Sequence, residues 1–158
     1  LAVVGACVDR EPTMAGKPAR PLLEATCTRL GCHRPIFVGD RLDTDILGAR
    51  NAGITSLFVL TGAHGVHDLM DADPDRRPDH IGADLGALLE PPQRVVVGGD
   101  AARCDGQLVR QIDGDLEVDL TNHDMAAQLC GVRALLELVW TDRVPVNHDA
   151  LSVFDLLH

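Results

Sequence analysis

The chain has 158 residues, enough for one domain or one small domain with an appendage, and 46% of them are apolar while only 3% are aromatic, so the core must be built from Val, Leu, Ile and Ala. A formal net charge of −10 argues against a nucleic-acid surface, which needs a basic stripe, and against docking on anionic membranes. No apolar run approaches the ~20 residues of a membrane span.

Residues 1–9 read as the end of a helix that began upstream, and Pro12 to Ala15 as a short extended run into Gly16-Lys17-Pro18. Pro21 stands where a first helical turn accepts proline, Leu22, Leu23, Ala25, Thr26 and Leu30 give one apolar face, and Gly31 is placed as a C-cap. Pro35-Ile36-Phe37-Val38 is a short, continuous apolar run and predicts a buried strand ending at Gly39-Asp40. A helix is predicted from about Thr44 to Ala52, closed by Gly53. Ile54 to Leu60 then reads as a second buried strand, ending at Thr61-Gly62. A loop or short helix follows through Leu69. Asp79-His80-Ile81 reads as a final short strand, and Asp84 to Leu89 as a short helix with Asp84 as N-cap. Strand and helix alternating at this spacing predict an α/β fold: a Rossmann-like parallel sheet in three layers.

Pro91-Pro92 marks a boundary, dividing residues 1–92 from residues 93–158. Beyond it Val95-Val96-Val97 and Leu116 to Leu120 predict strands, the second alternating and half-exposed. Ala126 to Trp140 predicts an amphipathic helix with Leu129, Val132, Leu136 and Val139 on one face. Residues 93–158 thus read as a small α+β appendage. Asp113-Gly114-Asp115 predicts a hairpin turn and lacks the acceptor spacing of a calcium loop.

Cys7, Cys27, Cys32, Cys104 and Cys130 form no CxxC pair, so a zinc knuckle is not expected, and reduced thiols point to a cytoplasmic protein. Asp71, Asp73, Asp75, Arg76 and Arg77 read as a solvated charged loop. His64 and His67 stand three apart without a third ligand at a sensible spacing, so they are not read as a metal site.

The informative stretch is Phe37-Val38-Gly39-Asp40-Arg41-Leu42-Asp43-Thr44-Asp45-Ile46. It delivers one carboxylate to the C-terminal end of a strand, and two more follow within five residues. Ligands of open α/β sheets bind at that edge, and clustered carboxylates suit Mg²⁺, which prefers hard oxygen donors and keeps several waters. About two dozen residues upstream lies Lys17, the single lysine of an otherwise arginine-based chain. A lysine is a compact point charge able to neutralise charge developing on a metal-bound phosphate. For Asp40 and Asp45 the competing reading is a helix N-terminus carrying acids to suit its dipole. For Lys17 taken alone it is a solvated side chain.

GKP, then VGDRLDTDI, then GARNAGITSLFVLTG, with RPDHIGADLGALL closing, resembles the C-terminal half of the haloacid-dehalogenase (HAD) core. The likeness is narrower still to the class of phosphoglycolate, glycerol-3-phosphate, 4-nitrophenyl-phosphate and pyridoxal-phosphate phosphatases and the NagD type. It covers roughly residues 1–90. The resemblance implies that Lys17 holds the nucleophile and the transferring phosphoryl group. It implies that Asp40 is a Mg²⁺ ligand and that Asp45, the second acid of that motif, supports the metal's shell. Asp43 is implied to be exposed or helix N-terminal, and Arg41 to brace the loop. The family's Asp-x-Asp-Gly-Thr nucleophile motif, its second-motif Ser/Thr strand and its cap do not occur here. With Leu rather than Met at position 1, the native chain is expected to begin upstream, and these residues alone are expected to be inactive. Lacking the central strand, such a half-sheet is expected to leave an unpaired parallel edge.

The resemblance implies hydrolysis of a small phosphomonoester through an aspartyl-phosphate, with a small phosphorylated metabolite as partner. It allows a homo-oligomer, because the cap often mediates dimers in the family. The alternatives are a non-catalytic binding or regulatory module that retains the fold and, more weakly, a receiver-like domain phosphorylated on Asp40. The lysine of a receiver follows its aspartate, whereas Lys17 precedes Asp40. Residues 93–158 are compatible with part of an acetyltransferase-like fold but show no Gly-rich pyrophosphate turn.

Overall fold

The computed structural model describes residues 14–141 and 144–154. The helix expected over residues 1–9, the start of the extended run at Pro12, and Cys7 lie outside the described residues. Helix α1 (Pro21–Leu30) leads to strand β1 (Ile36–Gly39). A wide π-helical turn (Leu42–Ile46) runs directly into α2 (Leu47–Ala52), followed by β2 (Thr55–Val59), α3 (Val66–Met70) and β3 (His80–Gly82). Pro21 does sit in the first turn of α1, and Gly31 and Gly53 close α1 and α2 in the left-handed conformation, as their positions required.

β1, β2 and β3 form a parallel sheet in that order, with Val38 opposite Leu57 and Phe58 opposite Ile81. The fold is therefore mixed α/β, as the alternating pattern predicted. Parallel neighbours bring the loops after β1 and β2 to one edge, which is where the charged residues collect. Asp79 ties the opposite end of the sheet: its Oδ2 accepts from Ser56 N at 2.8 Å and Ser56 Oγ at 2.9 Å.

Several expectations need correction. The helix expected from Thr44 begins two residues earlier as a π turn, in which Ile46 N donates to Arg41 O, five residues back. β1 is not fully buried; it is the edge strand of the described sheet, and Ile36 is 50% exposed. The apolar face assigned to α1 is mostly uncovered, because among the described residues α1 buries only Leu23, beside Gly48. The last strand is shifted by one residue. The segment Leu85–Leu89 is a 3₁₀ helix rather than an α-helix, with Asp84 capping it through Gly86 N as anticipated. Arg77 is not solvated: it donates to Ala72 O and Trp140 O and lies over the Trp140 ring.

Beyond Pro92 the chain builds a four-stranded antiparallel meander, β4 (Val95–Gly98), β5 (Ala101–Cys104), β6 (Gln107–Ile112) and β7 (Asp115–Asp119), backed by helix α4 (Met125–Trp140). The sequence reading found β4, β7 and α4 but missed β5 and β6, which mix Arg103, Gln107, Arg110 and Gln111 with their apolar residues. The β6–β7 turn is the expected hairpin, with Asp113 at φ 53° and Gly114 at φ 96°. Asp105 and Gly106, at φ 44° and 85°, make a second turn of the same kind between β5 and β6. The helix is buried on more than the one predicted face, because the meander covers one side, α3 packs on another and the Phe154 ring lies against Gly131.

One apolar cluster joins the two sheets, running from Leu42, Ile46 and Phe58 through Leu69 and Met70 to Leu135 and Leu138. Polar bonds reinforce the join: Arg133 donates to Ile81 O, and Trp140 Nε1 donates to Leu69 O at 3.0 Å. Among the described residues, no helix is long and apolar enough to cross a membrane.

Candidate active site

The site grows from the tip of β1. Asp40 follows the strand directly, and the backbone then opens into the π turn that carries Leu42 to Ile46. Such widened turns are rare and recur at functional positions. The turn swings Asp45 back beneath the strand end, so that a Cβ at Gly39 would overlap the Asp45 carboxylate. Glycine at 39 is therefore a requirement of close approach.

Asp45 is buried at 4% exposure and both its oxygens are engaged. Oδ1 meets Lys17 Nζ at 2.5 Å, and Oδ2 accepts from Arg41 N at 3.2 Å. A buried carboxylate is tolerable only with such partners. Lys17 reaches it from the loop before α1 and also lies 5.7 Å from the centre of the Phe37 ring. The lysine and the two acids are thus gathered at one edge of the sheet. Asp45 itself stands behind Lys17, with its oxygens spent on the amine and the turn.

Asp40 is held differently. Its Oδ2 accepts from Ala63 N at 2.7 Å, in the loop after β2. Among the described residues no hydrogen bond reaches the second oxygen, and no buried side-chain oxygen lacks a partner, so Oδ1 is open to solvent. A Cβ at Gly62 would overlap the Asp40 carboxylate, so this loop, too, needs glycine where it crosses the acid. Arg41 and Asp43 form an exposed two-pronged pair, with Nε–Oδ1 3.1 Å and Nη2–Oδ2 2.8 Å. The hydrogen bonds from Arg41 hold the Asp43 carboxyl below its ordinary value, and Asp43 in turn raises Arg41. Arg41 braces the loop, as expected, and Asp43 is its partner.

Which groups could hold a metal follows from this chemistry. Asp40 offers one hard oxygen at the open edge. Among the described residues no cluster of three or more His, Cys, Asp or Glu is arranged to hold an ion by itself. Mg²⁺ fits such a sparse protein contribution, because it keeps waters and takes one or two carboxylates together with substrate phosphate. The nitrogen and sulfur donors that zinc favours are not gathered here. His64 and His67 do not meet as a pair: His64 Nδ1 accepts from Leu42 N at 3.0 Å, while His67 Nδ1 lies 3.1 Å from His148 Nδ1.

The contacts that the sequence does not reveal are those of Gly62, Ala63 and His64: Thr61-Gly62 reads there as a strand-end turn and His64 as one of two histidines three apart without a third ligand. The available signal was topological. Adjacent parallel strands place their following loops side by side, so the residues after β2 had to face those after β1.

Comparison with known proteins gives matching results. Residues 14–88 match the HAD-hydrolase-like family. The chain is 35% identical to the D-glycerol 3-phosphate phosphatase of Mycobacterium tuberculosis over 158 residues, covering 94% of this chain and 42% of that protein. It is 36% identical to phosphoglycolate phosphatase 2 of Arabidopsis thaliana over 58% of this chain and 32% of that one. Two crystal structures of the glycerol phosphate phosphatase from M. tuberculosis are similar in fold. The complex with magnesium superposes with a TM-score of 0.61 at 32% identity, over 96% of this chain and 46% of that chain. The complex with calcium gives 0.63 at 31% identity, over 99% and 49%. The chain spans less than half the length of these relatives.

Proposed function

Because residues 14–88 belong to the HAD-like hydrolases, we propose that this chain supplies the lysine and the metal-binding carboxylate of a Mg²⁺-dependent phosphomonoesterase acting on a small substrate of the glycerol phosphate or phosphoglycolate type. The observation that carries the reading is the ion pair between Lys17 and Asp45 of the π turn that follows Asp40, at the ligand-binding edge of a parallel sheet.

In this reading each residue has one task. Asp40 would hold the cation through its open oxygen. Bound Mg²⁺ would supply charge neutralisation for the phosphoryl oxygens. Lys17, fixed by Asp45, presents its ammonium to the same oxygens and stabilises the charge that builds in the transition state. Asp45 is a positioning residue, supporting the metal's shell through Lys17 and the Arg41 backbone. The attacking carboxylate is an aspartate from outside these 158 residues, which forms and then releases an aspartyl-phosphate. A second aspartate from the same region acts as general acid and base.

The test is the pair of proteins with and without upstream coding sequence. With it, the protein should hydrolyse glycerol phosphate or phosphoglycolate in Mg²⁺, and Asp40→Asn should lower turnover by more than about 100-fold, beyond the usual loss from an outer-sphere change. The 158-residue chain alone should show no hydrolysis. Full rates in the Asp40→Asn protein at ordinary Mg²⁺ would remove the assignment. Mg²⁺ binding without turnover in the longer protein would favour a non-catalytic module on the same fold.

A further inference from the structure

We propose that His64 is a positioning residue for Asp40, a neutral imidazole that caps the π turn from the neighbouring loop and so fixes the metal-binding carboxylate. The proposal rests on the reading of Asp40 as a metal ligand.

The argument begins with the helical turn Leu42–Ile46, whose first N–H groups have no partner within the turn. Its N-cap residue is Arg41, which makes no side-chain cap. Leu42 is 4% exposed, so water is a poor substitute for the missing acceptor. A buried N–H left unpaired costs about 1–3 kcal/mol. The acceptor comes from 22 residues away, where His64 Nδ1 takes the Leu42 N–H at 3.0 Å.

That bond fixes the chemistry of the ring. An amide nitrogen can only donate, so Nδ1 must carry the lone pair and the neutral ring must carry its proton on Nε2. With Nδ1 occupied, His64 is excluded as a metal ligand through that atom.

The same loop makes two more bonds to the same short segment. His64 N donates to Asp40 O at 3.2 Å, and Ala63 N donates to Asp40 Oδ2 at 2.7 Å. Three bonds therefore join residues 62–64 to residues 40–42, and the imidazole bond alone depends on a side chain of the loop. Gly62 lets the loop lie directly on the carboxylate. If the ring is removed, Leu42 N–H loses its acceptor and the turn can loosen. Asp40 then loses the fixed register that keeps Oδ2 on Ala63 and Oδ1 toward the open edge.

The test uses the 158-residue chain, with Mn²⁺ as the probe cation read by water-proton relaxation, and with nitrogen chemical shifts and amide exchange read by NMR. In the wild type, His64 should show the Nε2–H tautomer and the Leu42 amide should be protected. His64→Ala should lose that protection and weaken Mn²⁺ binding by about 10–100-fold, the range for a residue that orients a ligand. His64→Asn offers an amide oxygen near the place of Nδ1 and should recover most of both. Circular dichroism checks that the variants stay folded, and recovery in His64→Asn decides the matter if His64→Ala does not. A proton on Nδ1, equal Mn²⁺ affinity in wild type and His64→Ala, or no recovery in His64→Asn would each overturn the positioning role while leaving Asp40 as ligand. No Mn²⁺ binding by the wild type at millimolar metal would overturn the metal reading and this proposal with it.

Discussion

The parallel sheet and the antiparallel meander both place polar side chains out of water, but they use them in opposite ways. At the tip of β1, bonds run from side chains to backbone across long sequence separations and leave one Asp40 oxygen open to solvent. In the meander the bonds close on themselves. Gln107, 4% exposed, donates to Asp105 O and Thr121 Oγ1 and accepts from Thr121 N, and Gln128 donates to His123 O. A satisfied amide adds geometric definition to a core and offers nothing to a ligand. The difference separates a site from a scaffold: what matters is whether fixing a polar group leaves it an unspent lone pair at an open edge.

The sharpest way to break this comparison is at Gly62. An added methyl would overlap the Asp40 carboxylate, so Gly62→Ala must displace either the acid or the loop. We expect Mn²⁺ or Mg²⁺ affinity to fall by at least about 10-fold, with a stability loss of about 1–3 kcal/mol from overpacking. Unchanged metal affinity by relaxation titration would show that the loop does not set the carboxylate. Asp45→Asn probes the other anchor. Breaking a buried pair costs about 3–5 kcal/mol, but the Lys17 side chain is 42% exposed, which reduces the expectation to about 1–2 kcal/mol in urea denaturation. In a longer protein with turnover, Lys17→Arg should not restore the rate lost in Lys17→Met, because a forked guanidinium cannot stand in for a point charge at this position.

How much of this was legible follows the same division. The strand tip, Lys17, Asp40 and the second acid could be read because they lie within a continuous pattern of turn glycines, apolar runs and acids. The π turn could not: its extra residue leaves the apolar spacing of Leu42, Ile46 and Ala49 compatible with an ordinary helix. The role of His64 lies in a contact across 22 residues that no local periodicity records. In the meander, β5 escaped because it is only four residues long, and β6 because Gln107 and Gln111 fall on its inward face while Leu108 and Ile112 fall on the outward one, although Asp105-Gly106 was as strong a turn signal as Asp113-Gly114. Trp140 and Arg77, which help clamp the two sheets together, carry no motif at all.

The thiols of β5 and α4 sharpen the comparison from the scaffold side. Cys104 and Cys130 are buried at 1% and 4% and share a hydrogen bond. That bond, helped by Arg133 against the effect of burial, lowers Cys130 to about 7, while the same bond and burial raise Cys104 above its ordinary value of 9.0. An acid depressed in the folded state contributes stability that appears as pH rises from the folded to the unfolded value; an acid raised in the folded state costs stability once pH passes its unfolded value. Stability should therefore climb from about pH 7 to pH 9 through Cys130 and fall above pH 9 through Cys104. Denaturation midpoints across that range, compared with Cys130→Ser, check both limbs. A flat profile in the wild type would mean that the pair is not ionising as its surroundings dictate.

The smallest effect makes the cleanest control. Gly114 closes the β6–β7 hairpin at φ 96°, beside Asp113 at φ 53°. A side chain in the left-handed region costs about 1–2 kcal/mol, so Gly114→Ala should destabilise the chain by about 1 kcal/mol. The turn is exposed and an added Cβ meets nothing within 4 Å, so the loss is conformational rather than steric. It also lies on the meander, away from the tips of β1 and β2. Gly114→Ala should consequently shift the urea midpoint and leave Mn²⁺ affinity unchanged, whereas Gly62→Ala should move both. If Gly114→Ala weakened the metal as much as Gly62→Ala, the meander would be coupled to the strand tip through the shared core at Leu69 and Met70, and the division between site and scaffold would fail.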